Sequence, residues 1–285
     1  MQIYQAQREY EMNHPHKINI IALLIFLSIC SIYAINDQKT LVYSLRILFI
    51  VIMMIRIITH GIKVNWYIVW VSSFLTICTA TILWSNDQEK GLYSLVWSVQ
   101  VFLVTVFIGD YIDSREKRDF LIKCISAGGV LLTIRLMIAT PITVWGTGRL
   151  GLAIGYNVND VGLKLSFSVL CLIYLIKNGE FKRYKKIILF CLTLILITVT
   201  LFTGSKKAFL VILIGVSLFT LLSVKKISKT FIILPFLLIF IYGFYYAVMN
   251  FQPLYNVLGE RVEAMVVTLS GVRQLKGLVP KLEYK

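Results

Sequence analysis

The residues with most capacity for chemistry in this chain are cations set in apolar surroundings. The stretch TVWGTGRLGLAIGYNVNDVGLKLSFS, starting at Thr143, places Arg149 among Gly146, Gly148, Gly151 and Gly155. Asn157 and Asn159 follow, and Lys164 lies just inside the next apolar run. Arginine's planar fork suits two-point contact with phosphate. The glycines permit tight turns and close approach of backbone to a ligand. The asparagines supply paired donors and acceptors of the kind that recognise sugar hydroxyls. Lys206 and Lys207 extend the pattern, because they and Lys164 stand at the starts of two apolar segments. A helix N-terminus there carries free N–H groups and partial positive charge. Lysine is unfavourable in that position unless an anion joins it, and phosphate fits, since backbone donors, dipole and ammonium act in one direction. Asp160 and Ser205 are the expected N-caps. The chemistry implied is binding of a phosphorylated, hydroxyl-bearing ligand.

The elements that must position these groups follow from composition. The chain has 285 residues, 58% of them hydrophobic, with a mean hydropathy of +0.80. Soluble domains carry roughly 45–50% apolar residues. Strand-like alternation is absent, and apolar runs of about 17–22 residues recur, the length at which an α-helix crosses about 30 Å of hydrocarbon. The expected fold is an all-α polytopic membrane bundle of about nine transmembrane helices. The spans are Ile18–Ile35, Leu41–Ile58, Val64–Leu83, Gly91–Ile112, Phe120–Thr140, Val161–Ile176, Ile187–Phe202, Ala208–Val224 and Thr230–Met249. Residues 1–17 read as a cytoplasmic arm rather than a cleaved targeting segment. Residues 18–249 form the helical domain and residues 250–285 an extracytoplasmic tail.

Orientation follows from lysine and arginine in short loops. One set carries Arg8, Lys17, Lys63, Arg115, Lys117, Arg118, Lys177, Lys182, Arg183, Lys185, Lys186, Lys225, Lys226 and Lys229. The alternate set carries Lys39, Lys90, Arg149, Lys206 and Lys207. The N-terminus is therefore expected inside and the segment after Met249 outside. Much of the net charge of +15 is topogenic, and no nucleic-acid partner is implied.

Topology does not account for Arg46 and Arg135, which with Lys164 lie about 5–8 Å below the outer ends of their spans. Each costs up to about 3 kcal/mol facing lipid at the helix centre, so a partner or a wet cavity is the default; snorkelling to the headgroups is the plainer alternative. The five cysteines all fall within predicted spans, without CxxC spacing. The three histidines, His14, His16 and His60, lie at the cytoplasmic face, and no metal site is expected, because zinc needs three or four converging ligands. TGSKKA lacks the upstream glycine of a phosphate-binding P-loop.

These stretches resemble the bacterial O-antigen ligase and polysaccharide polymerase superfamily. The likeness rests on GTGRLGLAIGYNVNDVG, on the outward turn FTGSKKAFL, and on the Glu-Arg opening of an outer loop, LGERVEAM. It covers roughly Ile18 to Ser270 and adds Arg261 to the substrate-binding candidates. The resemblance implies cofactor-independent glycosyl transfer at the outer face of the bacterial cytoplasmic membrane. The donor would be an undecaprenyl-pyrophosphate-linked oligosaccharide, the acceptor a hydroxyl of another lipid-linked glycan. Membrane lipids and other polysaccharide-assembly proteins are the implied partners. A transporter or flippase for lipid-linked sugars and a non-catalytic membrane subunit are the alternatives.

Two departures from the family pattern stand out. Lys206–Lys207 replaces an arginine, keeping charge but losing the fork. The family's outer loop continues with further arginine and a histidine, whereas this chain ends SGVRQLKGLVPKLEYK. The expectation is a shortened member, inactive or strongly impaired alone, with Glu260, Glu263 and Glu283 as the carboxylates of its tail. Glu260 and Glu263 beside Arg261 also read as the start of an amphipathic helix.

Overall fold

A computed structural model describes residues 20–35, 38–62, 64, 66–222 and 227–269. The arm 1–17 with its histidines His14 and His16, the loop cations Lys63, Lys225 and Lys226, and the end from 270 with Glu283 lie outside the described residues. The described residues are helical, with no strand among them. We number the helices α1 (Ile20–Ala34), α2 (Lys39–His60), α3 (Trp66–Ile82), α4 (Gln88–Tyr111), α5 (Arg115–Ala139), α6 (Val158–Asn178), α7 (Arg183–Phe202), α8 (Lys206–Leu222), α9 (Ile227–Asn250) and α10 (Glu260–Leu269).

A helix occupies each predicted apolar interval, and α2, α4, α5, α6 and α7 are long and apolar enough to cross a membrane. Several helices begin before the predicted span: α5 at Arg115 rather than Phe120, and α6 at Val158 rather than Val161. Hydropathy marks where a chain enters hydrocarbon. The backbone coils earlier, within the polar residues that precede the apolar run.

Contacts divide the chain into two units, Met1–Cys124 and Ile125–Lys285. In the first, α1 packs on α2, α2 on α4, and α3 on α4. Phe49 and Phe107 meet edge to face at 6.4 Å, and Met53 is buried nearby in sequence on the same helix as Phe49. Asp87 caps α4 by accepting from the Lys90 N–H at 3.1 Å. At the other end of that helix Arg56 pairs with Asp110 at 3.5 Å and lies over the Tyr111 ring. Helix α3 buries none of its side chains, and its Trp66, Trp70, Phe74 and Ile77 are exposed, the surface a lipid-facing helix presents.

In the second unit α6 is central, packed against α7 and α8. Its buried stripe Val161, Leu165, Val169 and Leu172 repeats at helical spacing. Lipid is as apolar as leucine, so helices in it associate through close packing and hydrogen bonds, and small residues bring the backbones together. Gly162 and Ser166 do this on α6. A Cβ at Gly162 would lie 2.8 Å from the Ser205 Cβ and 2.9 Å from the Ala208 Cβ. Ser166 Oγ, fully buried, donates across the interface to the Ala208 carbonyl at 3.1 Å. Leu201, Phe209, Val248, Leu254, Leu258 and Val262 form a further core that ties α7, α8 and α9 to the chain beyond Asn250.

Candidate functional site

Three stretches far apart in sequence meet in the second unit: the loop 141–157, the turn 203–205 between α7 and α8, and the segment 251–263. Each has a local reason for its path. After Pro141 the chain makes a 3-10 turn, Ile142–Val144, then reverses at Gly146 (φ 85°), Gly151 (φ 106°) and Gly155 (φ 67°). These three take conformations that side chains other than glycine's resist. The turn between α7 and α8 reverses at Gly204 (φ 63°) and is closed by Thr203 Oγ1, which accepts from the Ser205 N–H at 3.3 Å. Ser205 Oγ accepts from the Ala208 N–H at 3.3 Å, the N-cap role expected of it. Beyond α9 the chain turns through Gln252–Leu254 and a π-helical turn, Tyr255–Gly259, into α10.

Arg149 joins the first two stretches. Its Nε donates to the Thr203 carbonyl at 3.0 Å. Its Nη2 donates to the Gly204 carbonyl and to Asn159 Oδ1, both at 3.3 Å. The Leu150 N–H donates to the Phe202 carbonyl at 3.1 Å, and the Trp145 and Phe202 rings are 5.4 Å apart. The third stretch closes on the same turn. A Cβ at Gly204 would lie 2.5 Å from the Val257 carbonyl oxygen, and one at Gly146 would lie 2.6 Å from the Pro253 Cβ. Asn256 Nδ2 donates to the Gly146 carbonyl at 3.4 Å.

The electrostatics are one-sided. Burial, and then the positive charge of Arg261, push the Arg149 guanidinium below its usual value. Lys206 and Lys207 follow the same turn and are exposed, as is Arg261. Among the described residues no carboxylate pairs with Arg149, Lys206, Lys207 or Arg261. The hydrogen bonds of Arg149 reach neutral oxygens, and no described carboxylate offsets its charge. In the third stretch the Tyr255 hydroxyl donates to Glu263 Oε2 at 3.0 Å, and that bond to a carboxylate raises the tyrosine above its ordinary pKa.

The remaining expectations fare unequally. Asp160 is not the N-cap of α6: the cap is Asn157, whose Oδ1 accepts from the Asn159 N–H at 3.0 Å. The helix starts three residues before the apolar run, so Asp160 falls in its first turn. There its carboxylate pairs with Lys164 Nζ at 2.7 Å. The anion that Lys164 requires is thus a residue one helical turn away, and no external phosphate is needed to explain it. Arg135 Nη1 donates to the Tyr156 hydroxyl at 2.7 Å and its guanidinium lies over that ring at 5.4 Å. Arg46 belongs to the first unit and bonds Gln100. Sequence reasoning missed Tyr156, Pro253 and Asn256 as parts of the framework. A tyrosine carries no signal that it will meet an arginine 21 residues earlier.

Set against family models, curated proteins and solved structures, the chain finds no match.

Proposed function

We propose that this chain, working with other polysaccharide-assembly proteins rather than alone, polymerises or ligates undecaprenyl-pyrophosphate-linked oligosaccharides at the outer face of a bacterial cytoplasmic membrane. The observation that supports the reading best is the meeting of the loop around Arg149, the turn at Gly204 and the segment carrying Arg261, with their charge unpaired by any described carboxylate. In the proposed reaction the acceptor hydroxyl oxygen attacks the anomeric carbon of the donor. The bond from that carbon to the pyrophosphate oxygen breaks, and the hydroxyl proton passes to a base. The leaving pyrophosphate gains negative charge as the bond lengthens, and preorganised cations stabilise it more than they stabilise the intact donor. Arg149, Arg261, Lys206 and Lys207 take that role here, with Asn159 holding Arg149 in place. Glu260 and Glu263 are the carboxylates in the adjoining segment available to accept the proton.

The accompanying topology has nine membrane crossings, a cytoplasmic N-terminus with arm 1–17, a helical domain 18–249 and an outer segment from 250. The test is a glycan ladder on cells lacking this gene and on the same cells with it restored. Restored ladder length by the parent chain and not by Arg149→Ala supports the proposal. A ladder unaffected by deletion removes it. Accumulation of unpolymerised units on the inner leaflet would instead indicate translocation.

A further inference from the structure

Between α2 and α4 of the first unit lies a half-open pocket of about 430 Å³, with Tyr93, Ser94 and Trp97 of its lining exposed. Arg46 forms part of its wall, with Tyr43, Tyr93, Trp97, Ser94 and Ser98 around it. Arg46 is 7% exposed. Its guanidinium lies 5.5 Å from the Tyr43 ring centroid and 5.9 Å from that of Trp97, and its Nη1 donates to Gln100 Oε1 at 3.2 Å. Among the described residues no carboxylate is within ion-pair distance of it. A buried guanidinium steadied by two aromatic faces and one neutral amide keeps most of its five donors, and its full charge, for a further partner. The hydroxyls of Tyr43 and Tyr93 are 3.3 Å apart. Ser98 Oγ donates to the Ser94 carbonyl, so its oxygen remains an acceptor.

We propose that this cavity binds an acidic sugar, a pyranose bearing one carboxylate or phosphate. The anionic group pairs with Arg46. The ring hydroxyls meet the tyrosine and serine hydroxyls, and the apolar C–H face of the ring lies against the indole or phenol surface. A bare phosphate would satisfy the arginine and leave the aromatic walls and most of the volume unused. An anionic lipid headgroup shares the charge and the hydroxyls but lacks the ring, and the experiment separates the two. The inference needs no turnover, so it stands or falls apart from the transfer reaction.

The test is calorimetric titration of the purified full-length chain in detergent with glucuronate and with its neutral counterpart glucose. Glucuronate should bind saturably and about ten-fold more tightly than glucose, the step a single charge-assisted contact supplies. Arg46→Gln should remove that preference and Arg46→Lys should keep part of it. Ser94→Phe, which fills the cavity and leaves Arg46 intact, should abolish binding, and it decides the matter if Arg46→Gln fails to elute as folded protein. Equal affinity for the two sugars, or unchanged glucuronate binding in Ser94→Phe, would overturn the proposal. So would loss of glucuronate binding in nanodiscs containing phosphatidylglycerol but not in phosphatidylcholine alone, which would assign the cavity to a lipid headgroup.

Discussion

Gly204→Ala is the sharpest perturbation of the meeting point, because its cost has two separable parts. The first is conformational: φ is 63°, and a residue with a Cβ pays about 1–2 kcal/mol in the left-handed region. The second is steric. The new methyl would lie 2.5 Å from the Val257 carbonyl oxygen, 2.8 Å from the Val257 Cγ1 and 3.2 Å from Arg149 Nε. A backbone oxygen cannot swing aside as a side chain can, so either the turn 203–205 or the segment around Val257 must move. Moving the turn stretches the Arg149 bonds to the Thr203 and Gly204 carbonyls. One charge-assisted bond of this kind is worth about 1.5–3 kcal/mol, and with the conformational part the total comes to about 2.5–5 kcal/mol. Gly155→Ala isolates the first part, since Gly155 is also left-handed at φ 67° and a Cβ there meets nothing within 4 Å. Thermal unfolding of the detergent-solubilised chain should show a fall for Gly204→Ala at least twice that for Gly155→Ala. Equal falls would mean that the segment after Asn250 does not close on the turn, and the site would lose its third wall.

Other outcomes follow from the same contacts. Gly162→Val should destabilise the α6–α8 contact by about 1–3 kcal/mol through overpacking against Ser205 and Ala208, seen as a lower unfolding midpoint than that of Gly109→Val, where a Cβ meets nothing within 4 Å. Reporters fused after Asn250 and near Lys182 should read extracytoplasmic and cytoplasmic respectively, from the loop charges; a reversed pair would overturn the assignment of every outward residue. The Asp113 carboxyl is held below its usual range by the hydrogen bond from Lys117 Nζ at 2.7 Å. A depressed carboxylate stabilises the fold above its unfolded pKa of about 4 and loses that effect as pH falls through the lower folded value. Asp113→Asn should therefore flatten the acid side of the stability profile below about pH 4, and an unchanged profile would show the contact to be idle.

The helices were legible because lipid imposes a length and a composition on anything that crosses it, and α2, α4, α5, α6 and α7 meet both. Their starts were less so. The polar turn before Val161 belongs to α6, and only the capping geometry of Asn157 reveals it. Of the four loop glycines, those at 146, 151 and 155 take the left-handed conformations that a chain reversal needs and few residues tolerate, whereas Gly148 does not. What those turns deliver was not legible. Arg149 reaches Thr203, 54 residues away, and a sequence states no distance between segments that meet only after folding. The partners of Arg135 and Lys164 escaped for opposite reasons. Tyr156 is distant along the chain, whereas Asp160 stands one turn from Lys164 but is equally suited by its type to cap a helix. The helix expected beside Arg261 is present as α10, but the π-helical turn that leads into it at Tyr255–Gly259 has no sequence signature of its own.

The most direct test of the account measures binding of an undecaprenyl-pyrophosphate-linked oligosaccharide to the purified chain, comparing the parent with Arg149→Ala and Arg149→Lys at matched amounts of folded protein. Arg149 is both a strut between two segments and the proposed pyrophosphate contact, so affinity and thermal midpoint must be read together. Arg149→Ala should weaken binding by at least about ten-fold, and Arg149→Lys should recover part of the affinity, because it keeps the charge and loses the fork. A lower unfolding midpoint with unchanged affinity would contradict the account, leaving Arg149 a strut and the cluster of cations without a ligand.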